Sequence, residues 1–158
     1  MLLYHGSLEK VEVPVLDKSK ESNDFGKGFY LTSSKRQALK WAKRNMRIND
    51  KEKAYISVFN FIDNYDLNIF RFYKADYEWL NFVLQNRRRK MKNNDYALII
   101  GPVANDQVYN TLLLFESNLI DMDKTLEMLK TQKLFDQYLF RTKKSLQKLV
   151  FVKCIEVS

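Results

Sequence analysis

Six short runs rich in β-branched and aromatic residues constrain the fold of this chain more than any other feature of its sequence. Helical patterns lie between several of these runs, but strands and helices do not alternate strictly. This mixture favours an α+β fold over a doubly wound parallel sheet. The predicted strands span residues 1–5, 28–32, 53–61, 95–101, 136–142 and 149–157.

Periodic apolar residues and capping residues predict helices at 33–47, 74–90, 105–117, 121–132 and 142–149. The first has serines suited to N-capping and places Ala38, Trp41 and Ala42 at helical spacing, and the second places Trp79, Phe82 and Val83 on one face. No repeat, low-complexity tract or Pro/Gly/Ser linker divides the chain. We therefore expect a single domain over residues 1–158.

The chain has one cysteine, Cys154, and one histidine, His5. One cysteine cannot form an internal disulfide, so a reducing cytoplasm is the expected compartment. One histidine and one cysteine cannot build a zinc cage, so no metal site is expected. No apolar run reaches the roughly 18 residues of a transmembrane helix, and the N-terminus lacks the charged start of a signal peptide, so no membrane partner is expected.

The net charge of +8 and the pI of about 9.5 favour an anionic partner, although a basic surface also serves solubility alone. The densest basic run is "NRRRKMK", Asn86 to Lys92, at the end of a predicted helix. Cations at that position complement the negative end of the helix dipole. A solvated helix end and a nucleic-acid contact both remain open for this run.

Three segments bear on function: "YHGS" at 4–7, "GKGFYLT" at 26–32 and "DQYLFRT" at 136–142. The first contains the single histidine. In the second, two of the four glycines precede a strand, where they allow positive φ or a close approach of a ligand, although an ordinary β-turn is the alternative. It is not a dinucleotide-binding glycine loop, which follows a strand and opens a helix. The third begins an apolar strand with Gln137, whose alternative role is that of a surface residue.

Taken in this order, the three segments resemble the ADP-ribosyltransferase superfamily, in its diphtheria-toxin and poly-ADP-ribose polymerase branch. That branch has a His-Gly-Ser/Thr motif on its first strand, a Gly-x-Gly strand ending in tyrosine, and a later strand that begins with an acidic residue, usually glutamate. It also has a second aromatic residue eleven positions after the strand tyrosine, and Trp41 lies eleven positions after Tyr30. The chain is also similar to a small bacterial family within that superfamily, through "DFGKGFYLT", "GPVANDQVY" and "QYLFRTKKSL".

The resemblance implies a split β-sandwich of two small antiparallel sheets with flanking helices. It also implies an enzyme that cleaves nicotinamide from NAD and transfers ADP-ribose to a macromolecular acceptor, protein or nucleic acid, with NAD hydrolysis as a side activity. NAD is then a substrate and no metal is needed. A role as a toxin, an effector or a component of a conflict system would add a cognate inhibitor protein to its partners.

The catalytic residues implied by the resemblance are His5, Tyr30 and Gln137. His5 would bond the adenosine ribose, Tyr30 would stack on the nicotinamide, and Gln137 would hold the nicotinamide ribose. The implied NAD-binding residues are His5, Gly6, Ser7, Gly26, Gly28, Tyr30 and Trp41. In this set Gly6 offers its backbone to the carboxamide and Ser7 a hydroxyl nearby. Trp41 closes the other face of the nicotinamide, unless it is a core residue of its helix.

Gln137 departs from the glutamate of the best-known members. An amide forms the same hydrogen bond but carries no charge and cannot act as a general base. Gln137→Glu is therefore expected to raise NAD hydrolysis, and Glu156 and Glu116 are the next candidates for a catalytic carboxylate. Asp136 points to the opposite face of its strand.

Two other functions remain open from the sequence. One is a module of the same fold that binds NAD or ADP-ribose without turnover. The other is a small basic nucleic-acid-binding protein that uses Arg87 to Lys90 and exposed aromatic residues. The segment "GPVANDQVY" is interpreted as a strand end followed by a helix cap at Asn105 or Asp106.

Overall fold

A computed structural model of the protein describes residues 1–16, 19–20, 23–62, 66–89 and 95–158. The strands are β1 (Leu2–Ser7), β2 (Phe29–Leu31), β3 (Ala54–Phe61), β4 (Ile69–Arg71), β5 (Leu98–Pro102), β6 (Asp136–Phe140) and β7 (Leu149–Val157). The helices are α1 (Lys35–Ile48), α2 (Tyr77–Arg87), α3 (Asp106–Glu116), α4 (Met122–Lys130) and α5 (Lys143–Leu146).

In the described part of the chain the strands form two small sheets, which confirms the α+β class. The first sheet has the order β1-β3-β7 and is antiparallel throughout. The second sheet has the order β2-β6-β5-β4. Its β2, β6 and β5 pair antiparallel, whereas β4 and β5 are parallel. The prediction of two antiparallel sheets is therefore wrong for the second sheet.

The parallel pair arises because α2 connects β4 to β5 and returns the chain to the same end of the sheet. Strand β4 was absent from the sequence prediction. It has only three residues, Ile69–Arg71, which is too short for an alternating pattern to register. Its position is set by pairing with β5, where Ile69 lies opposite Leu98.

The two sheets enclose a core of apolar side chains. Leu3 and Phe59 from the first sheet pack in one buried cluster with Phe29, Leu31 and Phe140 from the second. The sheets also meet at one edge, where Tyr4 of β1 forms an isolated antiparallel bridge with Thr32, just after β2. Its two backbone hydrogen bonds are 2.8 and 3.0 Å long.

Helices cover the outer faces of both sheets. Helix α1 packs on the first sheet through Ala38 and Ala42, which are buried with Ile56 and Val58 of β3. Helices α2, α3 and α4 pack on the second sheet in a cluster that contains Trp79, Leu112, Leu129, Ile99 and Leu139. The predicted apolar face of α2 is confirmed, because Trp79, Phe82 and Val83 are all buried.

The helix starts follow the predicted capping chemistry. The side chains of Ser34, Asn105 and Thr142 accept hydrogen bonds from backbone N–H groups at the starts of α1, α3 and α5. The cap interpretation of "GPVANDQVY" is thus confirmed for Asn105. Among the helices formed by the described residues, none is long and apolar enough to cross a membrane.

Gly6 allows α1 to lie directly on β1. A Cβ atom at this position would lie 2.3 Å from the carbonyl oxygen of Ala38 and 3.1 Å from the amide nitrogen of Ala42. Both are backbone atoms, so neither can move without shifting the helix. Gly6→Ala should therefore lower the free energy of unfolding by about 1–3 kcal/mol, as overpacking does in other cores. Urea denaturation of the variant and the parent measures this difference.

Leu2→Ala on the same strand is the matched control, since Leu2 is about half-exposed. We expect it to change stability by less than about 1 kcal/mol. A Gly6→Ala variant as stable as this control would mean that α1 is not held against β1 as described.

Candidate functional site

His5 lies where the two sheets meet. Its Nδ1 atom is 2.7 Å from the backbone carbonyl oxygen of Tyr30, and its ring packs on Phe29 with the centroids 4.5 Å apart. Because a carbonyl oxygen only accepts hydrogen bonds, Nδ1 carries the hydrogen and donates it. In the neutral ring, Nε2 is then the hydrogen-bond acceptor. This contact fixes the tautomer of His5 and joins it to the strand that carries Tyr30.

The backbone of Gly6 is directed to the same edge of β1 as the bridge to β2. Tyr4 uses its N–H and C=O groups for the bridge with Thr32. Backbone groups alternate in direction along a strand, so those of Gly6 point to that edge as well. The adjacent Ser7 hydroxyl donates to the carbonyl oxygen of Glu9 at 2.7 Å.

The segment Asp24–Gly28, the glycine loop, is anchored at several points. Phe25 is buried in the core of the second sheet and its ring contacts the rings of Phe72 and Phe82. Asp24 accepts a hydrogen bond from Arg87 of α2 at 2.9 Å, in a pair that is mostly buried on both sides. The loop is therefore held by a core residue and by an ion pair, which an ordinary surface β-turn does not require.

Both glycines of this loop adopt backbone conformations that other residues rarely adopt. Gly26 has a φ of 92° and Gly28 a φ of 155°. A Cβ atom on Gly28 would lie 2.4 Å from the carbonyl oxygen of Phe140, so the loop can rest on β6 only with glycine there. The two predicted glycines are thus structurally required.

Tyr30 connects the glycine loop to the second sheet. Its hydroxyl donates to the carbonyl oxygen of Gly26 at 2.6 Å and accepts from the backbone N–H of Phe25 at 3.2 Å. Burial raises the pKa of this hydroxyl well above its ordinary range. It therefore stays neutral and serves as a donor to the loop.

Gln137 lies on the same face of the second sheet as Tyr30. Tyr30 pairs with Leu139 in the register, and Gln137 is two residues before Leu139 on β6. The side chain is buried, with 7% exposed. Its neighbour on β5 is Gly101, where a Cβ atom would come within 2.9 Å of the Phe25 ring. The glycine loop, Tyr30 and Gln137 thus converge on one face of the sheet, although they are distant in sequence.

The carbonyl oxygen of Pro102 accepts two side-chain hydrogen bonds at this point. The amide Nε2 of Gln137 donates to it at 3.2 Å and the indole Nε1 of Trp79 at 3.0 Å. Neither contact is predicted from the sequence, in which "GPVANDQVY" indicates a strand end followed by a helix cap and Trp79 a residue on the apolar face of its helix. A backbone carbonyl gives no signal in the sequence.

The acidic residues considered for catalysis are engaged elsewhere. Asp136 accepts from the hydroxyl of Thr32 at 3.0 Å and from the backbone N–H of Ser33 at 2.8 Å. Glu156 pairs with Lys53 at 2.7 Å and Glu116 with Arg88 at 3.4 Å. Each of these carboxylates already has a cation or hydrogen-bond donors as partners.

Trp41 is half-exposed on α1, with 50% of its surface accessible, so the alternative that it is a core residue is wrong. The guanidinium of Arg44 lies 5.6 Å from the centre of its ring, and Arg44 also pairs with Asp106 at the start of α3 at 3.3 Å. In the described part of the chain, these contacts connect Trp41 to Arg44 and not to Tyr30. That Tyr30 and Trp41 bracket the nicotinamide stays a prediction.

Two arginines of the predicted basic run are paired with carboxylates. Arg87 bonds Asp24 and lies 4.8 Å from the ring centre of Tyr109, while Arg88 bonds Glu116. Residues 90–92 of the run lie outside the described residues. For Arg87, the role that emerges is to hold the glycine loop. No local pattern predicts this pairing, because the partner, Asp24, is 63 residues away.

An open cavity of about 220 Å³ is lined by Asp136 and Tyr138, the two neighbours of Gln137 on β6. Its polar wall contains Arg71, Tyr73 and Asp136. Within the described ranges, no group of three histidine, cysteine or acidic side chains is placed to hold a metal ion. The polar side chains around this cavity are therefore a guanidinium, a carboxylate and a tyrosine.

Comparison with known proteins gives a family but no function. Residues 1–151 match the family model described as "Protein of unknown function (DUF3990)". No curated protein and no solved structure matches the chain. Since the match spans nearly all of the 158 residues, the chain belongs to this family.

Proposed function

We propose that this protein is an NAD-dependent ADP-ribosyltransferase, which releases nicotinamide from NAD and transfers ADP-ribose to a macromolecular acceptor. One observation carries the proposal. His5 is bonded to the backbone of Tyr30 at 2.7 Å, and the Tyr30 side chain shares a sheet face with Gln137 and the glycine loop. The three segments that resemble the superfamily are thus neighbours in space.

The chemistry of NAD cleavage fits these groups. Breaking the bond between nicotinamide and ribose creates an oxocarbenium-like ribose, so an enzyme must hold both rings in a fixed pose while charge develops. The acceptor nitrogen of His5 suits a ribose hydroxyl, and the Gly6 backbone suits the nicotinamide carboxamide. Gly26 and Gly28 let the loop pack against Tyr30 and β6, which fixes the position of the Tyr30 ring.

The same proposal includes the fold of the superfamily. We take the helix–sheet–sheet–helix layers, joined at the bridge between Tyr4 and Thr32, as the split β-sandwich of ADP-ribosyltransferases. NAD would bind beside the junction of β1 and β2, where His5 bonds the Tyr30 backbone and Gln137 shares the face of the Tyr30 side chain. The expected setting is the cytoplasm. The net charge of +8 favours a nucleic acid or an acidic protein as acceptor, and a cognate inhibitor protein would accompany a toxin role.

A second candidate is a module that binds NAD or ADP-ribose without turnover. It is favoured by the neutral side chain at 137 and by the engagement of Asp136 with Thr32 and Ser33. Release of nicotinamide from labelled NAD, with and without a cell lysate as the source of acceptor, separates the two functions. Treating the labelled products with nuclease or protease then identifies the acceptor class.

The single histidine offers a direct test of NAD binding. His5→Phe keeps a ring against Phe29 but removes both ring nitrogens, so we expect about a tenfold loss of NAD affinity, the usual effect of one hydrogen bond. Calorimetry measures the affinity. In the parent protein the one imidazole signal in the NMR spectrum should shift as NAD is added.

Tyr77→Phe is the control for this test, since it also removes one polar atom from a ring but lies on α2 with 55% of its surface exposed. Its NAD affinity should equal that of the parent. An imidazole signal that does not respond to saturating NAD would remove His5 from the site.

Trp41 tests the second stacking position. Trp41→Ala should weaken NAD binding several-fold, because an aromatic ring on a bound ligand contributes on the order of 1 kcal/mol beyond its buried area. The fold should be unaffected, since Trp41 is half-exposed. Tyr77→Ala removes an equally exposed ring from another helix and should bind NAD as the parent does. Equal affinities for Trp41→Ala and Tyr77→Ala would place Trp41 outside the NAD site.

A further inference from the structure

The amide of Gln137 has a fixed orientation. Its Nε2 donates to the Pro102 carbonyl oxygen at 3.2 Å, and that oxygen also accepts from Trp79 at 3.0 Å. Rotating the amide by half a turn would set Oε1 against the carbonyl oxygen, so that two acceptors would face each other. The side chain is 7% exposed, so water cannot readily replace the lost bond.

We propose that position 137 is a specificity-determining position built for an uncharged amide, which uses Nε2 to hold Pro102 and offers Oε1 to a hydroxyl donor of the ligand. Identifying this donor as the ribose hydroxyl of NAD rests on the proposed function. The orientation itself rests only on the contacts with Pro102 and Trp79. The surroundings of position 137 then favour an amide over the carboxylate of a glutamate.

A carboxylate is disfavoured at this position. It would lose the hydrogen bond to Pro102 and place a negative oxygen beside the carbonyl oxygen, in a buried environment. When protonated, the same carboxyl could donate its O–H to Pro102 and restore the bond. Both effects raise the pKa of the introduced carboxyl above its ordinary value.

Few cations are placed to lower the pKa of the introduced carboxyl again. On the same strand, the carboxylate of Asp136 is held by Thr32 and Ser33. Arg141 lies about 13 Å further along β6, with a guanidinium hydrogen bond to the Tyr96 carbonyl oxygen. On β2, Tyr30 is neutral. Two charged groups come from the helices. Arg87 of α2 is paired with Asp24, and Asp106 in the first turn of α3 is exposed. Lys133 and Arg141 are each four residues from Gln137 in sequence. Lys133 is exposed and precedes β6, and Arg141 is too far along the strand to pair with the introduced carboxyl.

The sequence-based expectation for Gln137→Glu is therefore reversed. A group with a raised folded-state pKa contributes most to stability below its ordinary pKa, and the contribution is lost as the pH rises through the raised value. The Gln137→Glu variant should thus be closest to the parent in acid and least stable in base. Because a carboxylate repelled by the Pro102 carbonyl oxygen is no longer held where Oε1 lies, its nicotinamide release at about pH 8 should fall below that of the parent by roughly tenfold.

Three variants test the proposal through thermal unfolding. Gln137→Met keeps the length of the side chain but has no hydrogen-bonding group. Gln137→Glu should melt roughly 3–10 °C below the parent at about pH 8 and below Gln137→Met as well, since it adds repulsion to the lost bond. At about pH 4.5 its deficit should shrink to less than half. Gln147→Glu introduces the same charge at an exposed position and should melt within about 1 °C of the parent at both pH values.

Two results would overturn the proposal. One is a Gln137→Glu variant that melts with the parent, or with Gln137→Met, at about pH 8. The other is a Gln137→Glu variant that releases more nicotinamide than the parent. A parent that neither binds NAD nor releases nicotinamide would instead refute the proposed function. The melting temperatures would still show whether position 137 favours an amide over a carboxylate, because they require no ligand.

Discussion

The backbone junction between β1 and β2 is the contact on which the rest of the molecule depends. Tyr4 and Thr32 exchange two hydrogen bonds there, and the His5 ring adds a third to the carbonyl oxygen of Tyr30. Each sheet buries one face against its own helices and the other against the opposite sheet. The junction fixes how the two sheets meet, and with it the position of His5 beside the strand of Tyr30.

Close approach of backbone to backbone is the second recurring constraint. Gly6 allows α1 to pack on β1, and Gly28 allows the loop to pack on β6. Gly101 leaves room for the Phe25 ring beside Gln137. The glycines at 6, 28 and 101 therefore stand where a Cβ atom would separate two elements around the candidate site. Close packing thus accounts for three of the four glycines in the 158 residues.

Local patterns predicted most of the elements, because helix caps such as Asn105 and apolar faces such as that of α2 depend on neighbours a few residues apart. Strand β4 and its parallel pairing depend on a partner almost thirty residues away, so no local pattern encodes them. The resemblance predicted the candidate site residues. The pairing of Arg87 with Asp24 and the two hydrogen bonds to the Pro102 carbonyl oxygen form only when distant segments meet.

A neutral amide at 137 restricts what the proposed enzyme can do. An amide cannot take a proton from an acceptor at neutral pH, and the neighbouring Asp136 is held by Thr32 and Ser33 on the other side of the strand. The positive charge that develops on the ribose would be met by the dipoles of Oε1 and of backbone carbonyls, which stabilise charge less than a carboxylate does. Transfer is then efficient only to an acceptor that is already nucleophilic or that brings its own base. In the proposed enzyme, the burial that fixes the amide against Pro102 would thus also select the chemistry of the acceptor.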